Sequence, residues 1–165
     1  MERVVKEQDN VRRSIEAVYR EKRGRLFALA FSILNDGHSA EDVLQEAFMK
    51  AIERCGSYEE RGKMYNYIVR LLYNCAIDKL RKKKEYPTED ETLEGHFQEQ
   101  TLDEQSAVLE AARNLPDEQR DVIFLRHYSG LSFAEIAEVL DAPLGTILSR
   151  MRYGLMKLKT LLERV

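Results

Sequence analysis

Between Arg61 and Lys84 the sequence carries eight lysines and arginines against one acid, Asp78, a local net of +7. The next stretch reverses the sign: Glu85 to Glu104 holds eight acids and no Lys or Arg, a local net of −8. A clustered cationic segment is the chemistry that neutralises phosphates, and an acidic segment beside it fits a solvated linker. A charge run by itself also fits an ordinary solvated surface. Catalytic chemistry has no foothold. His38, His96 and His127 fall in a loop, a linker and a helix end. No HExxH, Gly-rich phosphate loop, GxSxG or paired metal-ligand motif occurs. Cys55 and Cys75 lack CxxC spacing and have no neighbouring His, so they read as reduced structural thiols. No catalytic, cofactor-binding or metal-binding residue is assigned, and no cofactor is expected.

These residues sit in a chain of 165, enough for one medium domain or two small ones. Hydrophobic residues make up 44%, which excludes a disordered chain and permits real cores. The overall net charge of −3 conceals the two opposite blocks. Nothing recurs at a fixed period, and no apolar run approaches the roughly 20 residues of a membrane span. The opening MERVVKEQDNVRRS has no signal-peptide core. The expected location is cytoplasmic, without membrane insertion.

Helical spacing dominates and strand alternation is nearly absent. The first helix is expected over Val11 to Leu34, with Leu26, Ala30, Ile33 and Leu34 on one face and Asn35-Asp36-Gly37 as its stop. The second runs from Ser39, its expected N-cap with Asp42 reciprocating, to about Arg54. Val43, Leu44, Ala47, Phe48, Ala51 and Ile52 form its apolar stripe. Cys55 to Gly62 reads as a loop. The third helix covers about Lys63 to Lys83, with Tyr65, Ile68, Leu72, Ala76 and Leu80 near one stripe. Pro87, Gly95 and many acids make Glu85 to Gln100 a flexible linker. A fourth helix is expected over Leu102 to Asn114, and a fifth over Pro116 to Tyr128, closed by Ser129-Gly130. The fold class is therefore all-α, two small helical domains joined by a flexible acidic linker. Their bounds are 1–84, 85–100 and 101–165.

The segment LSFAEIAEVLDAPLGTILSRMRYGLMKLKTLL is the sharpest local signal. Ser132 can cap a sixth helix, to Leu140, with Glu135 at the reciprocal position. Pro143 cannot extend that helix and presets a turn. A seventh follows from Gly145 to about Leu162, with Ile147, Met151, Leu155 and Leu158 expected inward. Two short helices so joined form a helix-turn-helix, whose second helix enters the DNA major groove. Spacing alone leaves an ordinary helical hairpin open.

Three segments together resemble the extracytoplasmic-function class of bacterial RNA polymerase sigma factors, in its two-domain short form. SAEDVLQEAFMKAI resembles the segment that docks on the polymerase clamp. YNYIVRLLYNCAIDKLRKKK resembles the helix that melts and reads the minus-10 element. LPDEQRDVIFLRHYSGLSFAEIAEVLDAPLGTILSRMRYGLMKL resembles the domain that reads the minus-35 element. The resemblance implies a sigma factor that binds core RNA polymerase and directs promoter-specific initiation. Its partners would be core polymerase, promoter DNA and an anti-sigma factor that silences the free protein. It implies polymerase contacts at Asp42, Gln45 and Glu46, and minus-10 contacts at Arg70, Asn74, Lys79 and Arg81. Tyr58, in the family's base-capture loop, either stacks on a base or packs beneath the loop. Thr146, Leu148, Ser149, Arg150, Arg152 and Tyr153 would form the minus-35 face.

Three positions depart from the family pattern. Tyr67 stands where the family often has Trp, and Asp141 where it often has Gly. Leu148, Tyr153 and Leu155 replace frequent cations, so the recognition helix keeps only Arg150 and Arg152 in its first half. That depletion motivates a second reading, a sigma mimic that sequesters an anti-sigma factor without reading DNA. The basic third helix argues against it. A simple helix-turn-helix repressor leaves the N-terminal domain unexplained.

Overall fold

Apolar residues at three- and four-residue spacing set seven helices among the described residues. The computed structural model describes residues 2–58, 61–86 and 104–164. The chain divides into two units, Met1–Tyr86 and Pro87–Val165. The acidic stretch expected as a linker lies, from residue 87 on, outside the described residues.

The first unit packs α1 (Glu2–Leu34), α2 (Gly37–Glu53) and α3 (Met64–Glu85) each against the other two. α1 starts well before Val11, because Val11 and Ile15 are buried and extend the stripe formed by Leu26, Leu29, Ala30 and Ile33. Tertiary packing there outweighs the poor helix propensity of Asp9-Asn10. Asn35 ends α1 at φ 54°, a left-handed position that Asn tolerates better than most residues. The cap of α2 is Asp36, not Ser39. The Asp36 carboxylate accepts from the Ser39 backbone N–H at 2.8 Å, so the helix begins two residues before Ser39. In α2, Val43, Leu44, Ala47, Phe48 and Ala51 are buried as expected, but Ile52 is 48% exposed. In α3, Ile68, Leu72 and Ala76 form the core stripe, joined by Val69, Leu71 and Cys75, while Tyr65 and Leu80 are only half-buried. Both cysteines are free and buried. Each fully buried leucine of this core contributes about 1.5–3 kcal/mol relative to exposure.

The second unit packs α7 (Leu144–Leu162) against α4 (Glu104–Arg113), α5 (Asp117–Phe124) and α6 (Phe133–Leu140). The fifth helix does not continue regularly to Tyr128. A π-helical turn spans Leu125–Ser129, where the Ser129 hydroxyl donates to the Leu125 carbonyl, and Gly130 follows at φ 71°. Val122, Ile123, Phe124 and Leu125 are all buried. Arg120 is buried too, held by Asp117 at 2.8 Å and Asp121 at 2.7 Å. Ser132 and Glu135 form the anticipated capping box: the Glu135 N–H donates to Ser132 Oγ, and the Ser132 N–H donates to the Glu135 carboxylate. Asp141 closes α6 in the left-handed region, φ 49°, and the Ala142 N–H reaches back to the Ala137 carbonyl at 3.0 Å. This is the turn that a Gly would make without strain. Ile136 and Val139 carry the inward face, with Leu140 half-buried. In α7, Ile147 and Leu158 face inward, but Leu155 does not: it is 46% exposed. Gly154 occupies the inward position instead. Its close approach to α5 would bring an added Cβ within 2.9 Å of Ile123 Cδ1. Among the described residues no helix is long and apolar enough to cross a membrane.

Candidate nucleic-acid and partner interfaces

The outward face of α2 has an acidic rim around an apolar centre. Asp42, Gln45 and Glu46 are exposed, and with Met49, Lys50 and Glu53 they line a shallow groove. Met49 and Ile52 are large exposed apolar residues, although the apolar stripe predicts Ile52 inward. The helical period held the clue for Met49: it lies roughly 100° from the inward Phe48.

The polar groups of this face are coupled to α3. Lys79 Nζ stands 3.0 Å from Asp42, whose carboxyl Lys79 holds below the usual carboxylate range, first through their hydrogen bond. Glu46 pairs with Lys50 at 2.6 Å, and Lys50 Nζ lies 3.4 Å from Cys75 Sγ. The hydrogen bond from Lys50 lowers the Glu46 carboxyl, and its partner bond raises the Lys50 ammonium. Burial pushes the Cys75 thiol up, opposed by Lys50. On the other flank Arg23 of α1 pairs with Glu41 at 2.6 Å. Ion pairs thus tie α2 to both neighbours.

On α3, Arg70, Asn74 and Arg81 are exposed. Their spacings of four and eleven residues put them within roughly 40° of one another around the helix. Lys79, nine residues after Arg70, lies roughly 180° away, on the side that meets α2. The structure therefore gathers Arg70, Asn74 and Arg81 on one face and leaves Lys79 off it. Arg81 also lies 3.6 Å from Asp78. Tyr58, in the loop before α3, packs its ring against Tyr67 with centroids 4.7 Å apart. A Tyr at 67 in place of Trp still supplies an aromatic partner for that loop.

On α7, Leu148, Ser149, Arg152 and Tyr153 are exposed, and Thr146 is half-buried. Arg150 turns toward α5 and pairs with Glu118 at 3.0 Å. Leu144, not singled out from sequence, is 46% exposed one turn before Leu148.

Residues 18–86 match the family model for sigma-70 region 2, and residues 111–160 match the model for sigma-70 region 4. The chain is 31% identical over 154 residues to the ECF RNA polymerase sigma factor SigW of Bacillus subtilis, covering 83% of this chain and 81% of that protein. The chain belongs to the extracytoplasmic-function sigma factors. It is also 30% identical over 158 residues to SigK of a Mycobacterium species, covering 88% of this chain and 81% of that one. Among solved structures, the sigma factor RpoE of Bartonella quintana, crystallised with the anti-sigma factor NepR, superimposes with a TM-score of 0.74 at 27% identity. That likeness covers 91% of this chain and 97% of RpoE. As a member of this class the protein is an alternative sigma factor: it binds core RNA polymerase and directs promoter-specific transcription initiation. Such work is done by binding rather than bond chemistry, and the protein is not an enzyme. The basic helix α3 falls in the region 2 match, and the basic helix α7, but for its last two residues, in the region 4 match.

Proposed function

We propose that this sigma factor divides its work among three faces. The outer face of α2, with Asp42, Gln45 and Glu46 around Met49, docks on core polymerase. Arg70, Asn74 and Arg81 of α3, with Tyr58 in the preceding loop, meet the separated minus-10 strand. Thr146, Leu148, Ser149, Arg152 and Tyr153 of α7 meet the minus-35 duplex. Residues 1–84 and 101–165 act as the two functional domains, and 85–100 as the linker between them. Single strands take cations for phosphate and aromatic faces for bases, and a helix-turn-helix offers the first half of its second helix to base edges.

The observation that carries the reading is the sorting of the cations. Arg70 and Arg81 project from one face of α3, Arg81 near Asp78 of the same helix, while Lys79 and Arg150 are drawn into pairs with Asp42 and Glu118 of neighbouring helices. The protein works in the cytoplasm, where core polymerase is, and an anti-sigma factor holds it silent by covering the same faces. That RpoE was crystallised in complex with the anti-sigma factor NepR supports a partner of that kind.

The test is transcription in vitro with added core polymerase. The wild-type chain directs initiation from its promoter. The double change Asp42→Lys, Glu46→Lys abolishes capture of core polymerase while helical content stays intact. Capture by the double variant would reject the α2 docking face. Polymerase binding without promoter-dependent initiation would favour the mimic that sequesters an anti-sigma factor.

A further inference from the structure

We infer that Leu148 of α7 reads a thymine methyl group in the minus-35 element. The inference rests on the reading of α7 as the helix that enters the major groove.

Leu148 and Leu144 are each 46% exposed. They lie one turn apart on one side of α7, roughly 6 Å along its axis. Isolated exposed leucines mean little, but here the surroundings are specific. Every charged residue of Leu144–Leu162 is a cation: Arg150, Arg152, Lys157 and Lys159, with no carboxylate on the helix. A helix without a carboxylate suits a polyanion, and of these cations Arg152 is the one that stands beside the apolar pair. Arg152 is exposed four residues after Leu148 and roughly 40° further round. It can hold phosphate or a guanine edge while Leu148 faces the base pairs. Arg150 is engaged with Glu118 on another side of the helix.

The remaining chemistry of this face is narrow. Ser149, roughly 100° from Leu148, offers a hydroxyl, and Tyr153, exposed one turn after Ser149, a phenol; a hydroxyl can serve either partner of several base edges and discriminates weakly. Gly145 offers no side chain. In the major groove the one apolar feature of the four bases is the thymine C5 methyl. A leucine in this place gains by covering that methyl. It gains nothing from the cytosine or purine edges, whose polar groups it would strip of water. Leu148 therefore selects for thymine, and through pairing for adenine on the opposite strand.

The test uses holoenzyme assembled from core polymerase and the full chain. The probe is a promoter duplex library randomised across the minus-35 element, amplified once with dTTP and once with dUTP. Uracil keeps every hydrogen-bonding group of thymine and lacks only the methyl. Wild-type holoenzyme should enrich T·A at a fixed position of the dTTP library by about fourfold, the worth of burying one apolar carbon. The dUTP library should lose that preference and keep the others. Leu148→Ala, at an exposed position, should erase the same preference in the dTTP library while leaving core binding and melting temperature unchanged. Thymine preference that survives removal of the methyl would overturn the inference while leaving α7 as a DNA reader. A library in which Leu148→Ala changes no position would assign the leucines to a protein partner instead. Absence of any minus-35 preference in the wild type would overturn this inference and the DNA-reading role of α7 together.

Discussion

Lys79 on α3 and Asp42 on α2 face each other at 3.0 Å, Nζ to Oδ2. The pair joins a residue of the proposed polymerase-docking face to one that the resemblance had placed near the promoter strand. Around α3, Lys79 is on the opposite side from Arg70, so one strand of DNA lying along Arg70, Asn74 and Arg81 does not reach it without first breaking the pair. Arg70→Ala with Asn74→Ala should therefore weaken permanganate reactivity of the melted promoter region more than it weakens core binding. Lys79→Ala should leave that reactivity near wild type and alter core binding instead, by releasing Asp42. Because both side chains are well exposed, this effect on core binding should shrink as salt rises. Equal loss of the footprint in both variants would put Lys79 back with the strand-reading set.

The start of α2 gives a pH-dependent prediction. The Asp36 carboxyl is held below the usual range, first by its hydrogen bonds to Ser39. A folded-state pKa below the unfolded one stabilises the protein above the unfolded value, about 3.9 for Asp. That stabilisation is lost as pH falls through the folded value. Asn caps a helix about as well as Asp but does not titrate. The stability difference between wild type and Asp36→Asn should thus be constant near neutrality and shift against the wild type in acid. Asp36→Ala should cost about 1 kcal/mol at neutral pH. Urea unfolding across pH 2–7 reads both; parallel curves for wild type and Asp36→Asn would show that the charge contributes nothing.

Local rules served best where the sequence chemistry was strict. Ser132 and Glu135 form the capping box that their spacing announces, and Asp141 makes the left-handed turn required between the two helices. The buried stripes of α1 and α3 follow the helical period closely, because a wide apolar face has no other stable place to go. Errors came where two residues competed for one role. Asp36 and Ser39 can both cap, and the earlier one wins by bonding to the later one's backbone. Ile52 and Leu155 sit at the margins of their stripes, where rotation of a helix by less than a turn decides exposure, and that rotation is set by neighbouring helices. The inward role expected of Leu155 passes to Gly154, where the Ile123 and Gln119 side chains of α5 fill the space that a Cβ would enter. For the site, cation content was legible but direction was not: nothing near Lys79 or Arg150 in sequence reveals Asp42 or Glu118 as partners, 37 and 32 residues away.

Gly154 offers a test of that close approach. A Cβ there would meet Ile123 Cδ1 at 2.9 Å and Gln119 Cβ at 3.2 Å. Ala is better than Gly in a helix by about 1 kcal/mol, but overpacking a core costs about 1–3 kcal/mol. Gly154→Ala should lower the melting temperature. Ile123→Val removes the Cδ1 atom and should recover part of that loss in the double variant, although alone it costs about 0.5–1.5 kcal/mol. Simple addition of the two losses would show that the contact is not the cause.

Arg150 and Arg152 separate structural from DNA-facing cations on one helix. Arg150 pairs with Glu118 at 3.0 Å and its side chain is 25% exposed, so its charge is partly spent on joining α7 to α5. Arg152, two residues on and roughly 200° further round, is exposed. A cation that contacts phosphate releases a counterion, and its loss lowers the slope of log affinity against log salt by about one unit. Arg152→Ala should therefore flatten the salt dependence of minus-35 binding by about one unit with little change in melting temperature. Arg150→Ala should do the reverse, lowering stability while leaving the salt slope unchanged. Glu118→Ala is the control that assigns the cause. If Arg150 acts through the pair, removing either partner should lower stability similarly, and removing both should cost less than the sum. If instead Glu118 only restrains a cation that DNA could use, Glu118→Ala should steepen the salt slope by about one unit, and Arg150 would join the DNA-facing set.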